Sequence, residues 1–268
     1  MLHGVLLKSL RDVRRSFAWW SLGLAGYVAL IVGVWPAIRD NEALVELEES
    51  YPEELKAFFS FGGFDFSTAA GYLGAELFSL MVPLLLIIAA VGAGARAIAR
   101  EEERGTLDLL LGNPISRRRL VLEKAGALAL ELAGLAVVLF AALALATTVA
   151  DMDVSLADLA SATTSAFLLG LAFGVIAFAL GAATGRSAIA IGVSAALAVA
   201  AYLINGLSPL VDGIHSIRWL SPWYHYVAGD PLREGLSPGN ALVLVAIAGV
   251  AAAVAVLAFD RRDVGVST

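Results

Sequence analysis

The amino-acid sequence predicts an all-α polytopic membrane protein with six transmembrane helices and an amphipathic N-terminal interfacial helix. Three observations carry that prediction. The 268 residues are 59% hydrophobic and 16% charged, with a mean hydropathy of +0.83, whereas soluble domains run at about 45–50% and about 25%. Six stretches approach or exceed the roughly 20 apolar residues that a spanning helix needs: 17–35, 77–95, 125–149, 162–183, 188–204 and 241–259. Third, Lys and Arg crowd onto one side of these stretches. Backbone groups in hydrocarbon must be satisfied within the segment, so the stretches are helices rather than loops.

Orientation follows from the basic residues. With six spans both termini share a side, and that side carries 14 of the 18 Lys and Arg residues. Cationic loops stay in the cytoplasm. The prediction is therefore one multi-pass domain over 1–268 in the cell membrane, with both termini and the segment 96–124 cytoplasmic. The loops 36–76 and 206–240 are then external.

Each element has its own signature. In residues 1–15, Leu2, Val5, Leu6, Leu10 and Val13 recur at helical spacing, with Lys8, Arg11, Asp12, Arg14 and Arg15 on the other face. That pattern predicts a helix lying in the inner membrane interface. No small-residue cleavage site follows it, so the first span reads as a retained anchor. The first external loop is acidic, with Leu44, Leu47, Tyr51, Leu55 and Phe58 as a helical stripe; Pro52 splits that helix, with Ser50 and Glu53 as a capping box for the second piece. Glu76 lies at the outer edge of span two, and Pro83 marks a kink within it. Gly170-x-x-x-Gly174 and Gly181-x-x-x-Gly185 let helix backbones approach. Before span six, Trp219, Trp223, Tyr224 and Tyr226 suit the membrane–water boundary and fit a short re-entrant or interfacial helix.

Glu131, two turns into span three, is the deepest charge. Intramembrane acids are functional candidates by default. It is either a proton or cation site, or an interior residue paired with a base such as Lys124.

Several chemistries have no residues to perform them. There is no cysteine and only three histidines, so thiolate metal sites and Cys nucleophiles are excluded. No G-x-x-x-x-G-K-[ST] phosphate cradle, G-x-S-x-G elbow or H-E-x-x-H motif occurs. The chain is not expected to be an enzyme, to hold a catalytic or metal site, or to bind a cofactor or nucleic acid.

The segment between spans two and three is richer than a connector needs to be. Arg96 and Arg100 close span two. Thr106 caps a short helix whose Leu107, Leu109, Leu110 and Leu111 form an apolar knob, with Asp108 beside them. Gly112 and Pro114 stop that helix, and Ser116 caps the next one, which opens with Arg117. An apolar knob exposed among charges calls for a partner surface. The run from Glu101 to Lys124 resembles the E-x-G-T-L-[DE]-x-L-L-x-x-P-[IV]-S-R pattern of ABC-2 type permeases, the membrane subunits of ATP-binding-cassette transporters, mostly exporters. The resemblance implies that this segment is a cytoplasmic coupling helix docking on a separate ABC ATPase subunit, which binds the ATP and Mg. It also implies a second permease copy or paralogue, with membrane lipids around the pair. The contact residues it implies are Glu102, Glu103, Arg104, Gly105, Thr106, Leu107, Asp108, Leu109, Leu110, Pro114, Ser116 and Arg117. Two other readings remain at this level: an ion-coupled transporter or channel using Glu131, and a non-transporting membrane partner of an ATPase.

Overall fold

The computed structural model describes residues 4–39, 68–107 and 116–262; these are mainly helical, with no strand among them. The helices are α1 (Gly4–Ile38), α2 (Ala69–Leu73), α3 (Met81–Glu103), α4 (Arg117–Val149), α5 (Leu156–Thr184), α6 (Ser187–Leu207), α7 (Asp212–His215), α8 (Pro222–Val227) and α9 (Pro238–Arg261). Six units are long and apolar enough to cross a membrane: α1, the stretch Ala69–Glu103, α4, α5, α6 and α9. The protein is a multi-pass helical membrane protein, as its composition indicates. The end of the bundle that carries Lys8, Arg104 and Arg117 is its basic end. The acidic loop, its capping box and residues 108–115 lie outside the described residues.

The amphipathic N-terminus and the first span are a single helix of 35 residues. At 1.5 Å per residue that is about 52 Å, well beyond the roughly 30 Å of a hydrocarbon core. No turn separates the amphipathic segment from the spanning one. The physical reason is continuity of the apolar stripe. Val5 is buried, Leu6, Leu10, Val13 and Phe17 are partly buried, and Leu24, Val28, Val32 and Trp35 continue the same face. This stripe packs chiefly against α4. Leu6 lies over Gly126, and Phe17 over Gly134. Part of the amphipathic segment's apolar face thus meets protein.

Span two is broken. α2 runs into one wider π-helical turn, Gly74–Phe78, before α3 starts afresh at Met81. Pro83 explains the position of the break. It has no N–H to donate and its ring crowds the carbonyl of residue 79, so the upstream turn opens. Ser79 and Leu80 then connect the two pieces, with the Ser79 hydroxyl donating to the Ala75 carbonyl. The expected kink is thus a discontinuity upstream of the proline. Tyr27 and Tyr72 hold α2 and the π-turn to α1, donating to the carbonyls of Glu76 at 3.0 Å and Ile31 at 2.8 Å.

α5 is the central helix, buried along most of its length and packed on α3, α9, α4 and α6. Its contact with α3 is close enough to exclude side chains. A Cβ on Gly174 would lie 2.9 Å from the Ala90 Cβ, one on Gly181 2.7 Å from the Ala95 carbonyl oxygen, and one on Gly94 2.1 Å from the Gly174 carbonyl oxygen. The glycine spacing read from the sequence therefore serves packing within the chain. At the opposite end, Tyr226 is fully buried. It donates to the Phe78 carbonyl at 2.7 Å, and its own carbonyl accepts from Ser165 at 3.0 Å. The expected short helix before the last span is present as α8.

Gly94→Ala is expected to lower the unfolding free energy in detergent by about 1–3 kcal/mol, the usual cost of overpacking. Gly192→Ala, where a Cβ meets nothing within 4 Å, should not lower it and can raise it by up to about 1 kcal/mol, alanine being the better helix former. Thermal unfolding followed by size-exclusion chromatography separates the two.

Candidate functional site

At the basic end, α3 terminates in a Schellman motif. The Gly105 N–H donates to the Glu102 carbonyl at 2.9 Å and the Thr106 N–H to the Glu101 carbonyl at 2.8 Å. Gly105 sits at φ +65° with open space around it, so its backbone conformation, not crowding, requires glycine there. The stop comes seven residues before Gly112, the stop expected for the short helix that follows.

Three consecutive glutamates precede this cap. Successive residues on a helix point about 100° apart, so the three carboxylates fan out to different helices. Glu101 turns toward α1 and α4. Its Oε1 lies 3.3 Å from Lys124 Nζ and 3.7 Å from Lys8 Nζ, and its Oε2 accepts from the Thr106 hydroxyl at 2.6 Å. Lys124 is buried at 7% exposure. An ammonium in that setting requires a partner, and Glu101 supplies it.

Glu102 turns toward the end of α9. Both carboxylate oxygens accept from the Arg262 guanidinium, Oε2 at 2.9 Å. Glu103 turns toward α6 and accepts from the Ser187 N–H at 2.7 Å and the Ser187 hydroxyl at 2.8 Å. The residue preceding α6 is Arg186, which has no acceptor and makes no cap. The first free N–H of α6 is therefore satisfied from a different helix, and the negative charge suits a helix N-terminus.

The returning leg is held too. Ser116 caps α4 as expected, accepting from the Arg119 N–H at 3.4 Å. Arg117 donates to the Arg262 carbonyl at 2.6 Å and, more loosely, to the Phe259 carbonyl at 3.5 Å. Arg118 pairs with Asp260 at 3.0 Å. Cations are unfavourable at a helix N-terminus. Here the first two point across to the unsatisfied carbonyls and acid at the C-terminus of α9.

The expected contact set thus divides. Glu102, Glu103 and Arg117 are engaged within the chain. Leu107, expected on an exposed knob, is buried at 2% exposure in the bundle's own core. Thr106 holds Glu101. Arg104, Gly105 and Ser116 are exposed. Asp108, Leu109, Leu110 and Pro114 lie outside the described residues.

Glu131 is buried at 7% exposure and has no hydrogen-bond partner among the described residues. Lys124 does not reach it; its ammonium lies against Glu101 instead. Pairing at heptad spacing within one helix lost to a shorter path across helices. Residues the sequence reading left out of the set are Glu101, Gly185, Ser187 and Arg262. Two of them carried a signal in the sequence: Glu101 as the first of three adjacent acids, and Gly185 in the Gly181-x-x-x-Gly185 spacing.

Near the opposite end, a cavity lined by Gly71, Phe78, Tyr226, Asp230 and Arg233 holds about 20 Å³, room for about one water. Burial raises the Asp230 carboxyl above its ordinary range, while Arg233 at 3.8 Å opposes the shift. The space is too small for a cargo.

A family model described as "ABC-2 family transporter protein" matches residues 5–264. No curated protein matches the chain.

Glu101→Gln strands the buried Lys124. The expected loss is about 2–3 kcal/mol, below the roughly 3–5 kcal/mol of a fully buried pair because Glu101 keeps 19% side-chain exposure. Arg119→Gln, breaking a half-exposed pair with Glu123, should cost about 0.5 kcal/mol or less. Chemical unfolding in detergent gives both values.

Proposed function

The chain belongs to the ABC-2 transporter family, and from that membership we propose that it is an exporter permease driven through segment 96–124 by a separate ATPase subunit. An ABC transporter permease of this family partners with an ABC ATPase. The further steps are our reading. The basic end faces the cytoplasm, with both termini on that side. ATP and Mg bind the ATPase subunit, and this chain contributes no catalytic residue. A second permease copy or paralogue completes a central pathway, with lipid around it. Residues 1–268 act as one transmembrane domain.

The observation that carries this reading is the rooting of the segment. Where it leaves the bundle, Glu101, Glu102 and Glu103 hold α1, α4, α9 and α6; where it returns, Arg117 and Arg118 hold α9 again. A connector needs no such set of ties, whereas a segment that takes up force must hand it to the spans. Within the contact set, Glu102, Glu103, Thr106, Leu107 and Arg117 anchor the segment. Arg104, Gly105, Asp108, Leu109, Leu110, Pro114 and Ser116 form the surface offered to the ATPase. Glu131 is assigned to the interior of the permease rather than to ion coupling.

Leu109→Asp tests the docking surface. Burial of one leucine contributes about 1.5–3 kcal/mol, so the variant should bind the ATPase subunit roughly 10- to 100-fold more weakly, measured by titration in nanodiscs. Failure of the unaltered chain to co-purify with any ATPase encoded beside it would overturn the reading.

A further inference from the structure

Arg262 closes a ring that neither leg of segment 96–124 closes alone. Its guanidinium reaches both oxygens of Glu102 on the outgoing leg and donates to the Ala182 carbonyl at the end of α5, at 3.3 Å. Its own carbonyl accepts from Arg117 on the returning leg at 2.6 Å. One residue thus joins the end of α3, the end of α5, the start of α4 and the end of α9. The neighbouring backbone is shaped around it. Gly185 caps α5 at φ +66°, and a Cβ there would lie 2.3 Å from Arg262 Nη2 and 2.5 Å from Glu102 Oε2. The clamp therefore occupies the space where a side chain would be.

We infer that Arg262 is a positioning residue for energy coupling: it holds both legs of segment 96–124 to the end of α9, so that motion of the segment moves α3, α4, α5 and α9 together. The inference rests on the transporter reading above. It adds that the end of the last span, distant in sequence from the segment, belongs to the coupling apparatus.

The choice of arginine follows from geometry. A planar fork can hold two carboxylate oxygens and a carbonyl at once, whereas an ammonium is a point donor. Lysine at 262 keeps the charge and loses the bridge between Glu102 and Ala182. Removing the guanidinium while retaining a polar side chain frees the outgoing leg from α9. The returning leg stays bound through the backbone carbonyl and the Glu101–Lys124 pair still joins the two legs, so what is lost is the tie of the outgoing leg to α9 and α5.

The test uses the full chain assembled with its ATPase subunit in lipid nanodiscs. The natural chain has no cysteine, so nitroxides can be placed at Arg100→Cys and Leu257→Cys, both exposed. Distances are measured by electron-spin resonance with and without ATP-vanadate. With Arg262 intact, the 100–257 distance should be the same in both states. Arg262→Gln should broaden the distribution and make it state-dependent. It should also lower the kcat of ATP hydrolysis at least 3-fold, with the KM for ATP and the affinity for the ATPase unchanged. Arg262→Lys should recover part of that loss. Gly185→Ala reaches the same clamp from α5 and serves if Arg262→Gln is not monodisperse. Unchanged distances and kcat in the assembled Arg262→Gln complex, or in the assembled Gly185→Ala complex in its place, overturn the inference and leave the transporter reading standing. Absence of an ATPase from the unaltered chain overturns both.

Discussion

Backbone contact between α3 and α5 is the constraint on which the rest of this structure depends. Gly94 lies on the Gly174 carbonyl and Gly174 on Ala90 so closely that neither tolerates a Cβ, and Gly181 lies on the Ala95 carbonyl in the same way. In hydrocarbon the driving force for helix association is packing itself, since lipid is as apolar as leucine. Small residues convert that weak drive into a defined separation and a defined rotation. Rotation matters most. It decides which way the last turn of α3 points its three acids, and so which helices those acids can reach.

The ties at the basic end each resolve a problem that a helix terminus creates. α6 begins at a residue that cannot cap it, and Glu103 supplies the acceptor. α9 ends with open carbonyls, and Arg117 supplies the donor. α4 buries an ammonium, and Glu101 neutralises it. Apart from the Glu101–Lys124 pair, whose lysine is buried, each bond is modest, since exposed ion pairs contribute little. Together they tie these helix ends to one another.

The sequence carried the six spans, the helix before the last span, the serine cap at Ser116 and the proline discontinuity legibly, because each is a local pattern. Partners across helices were not local. Lys124 was one partner offered for Glu131, seven residues on, yet it binds Glu101, which is 23 residues earlier. Arg262 is 160 residues from Glu102, and no periodicity connects them. The stripe on α1 was read correctly as a face, but a stripe does not state whether lipid or protein covers it. Leu107 shows the same limit: its apolar character was plain, and only the packing shows that it turns inward.

The adjacency of the three acids has a consequence for how this segment can change over time. Their meaning lies in phase rather than in composition. Inserting or deleting one residue between Gly94 and Glu101 would turn the whole trio by about 100°, presenting each carboxylate to the wrong neighbour while leaving the count of charges intact. Substitutions that preserve charge can be absorbed one at a time; changes of length in this stretch cannot. The seven positions from Gly94 to Arg100 act as a gauge, and their number is under tighter constraint than most of the side chains they carry.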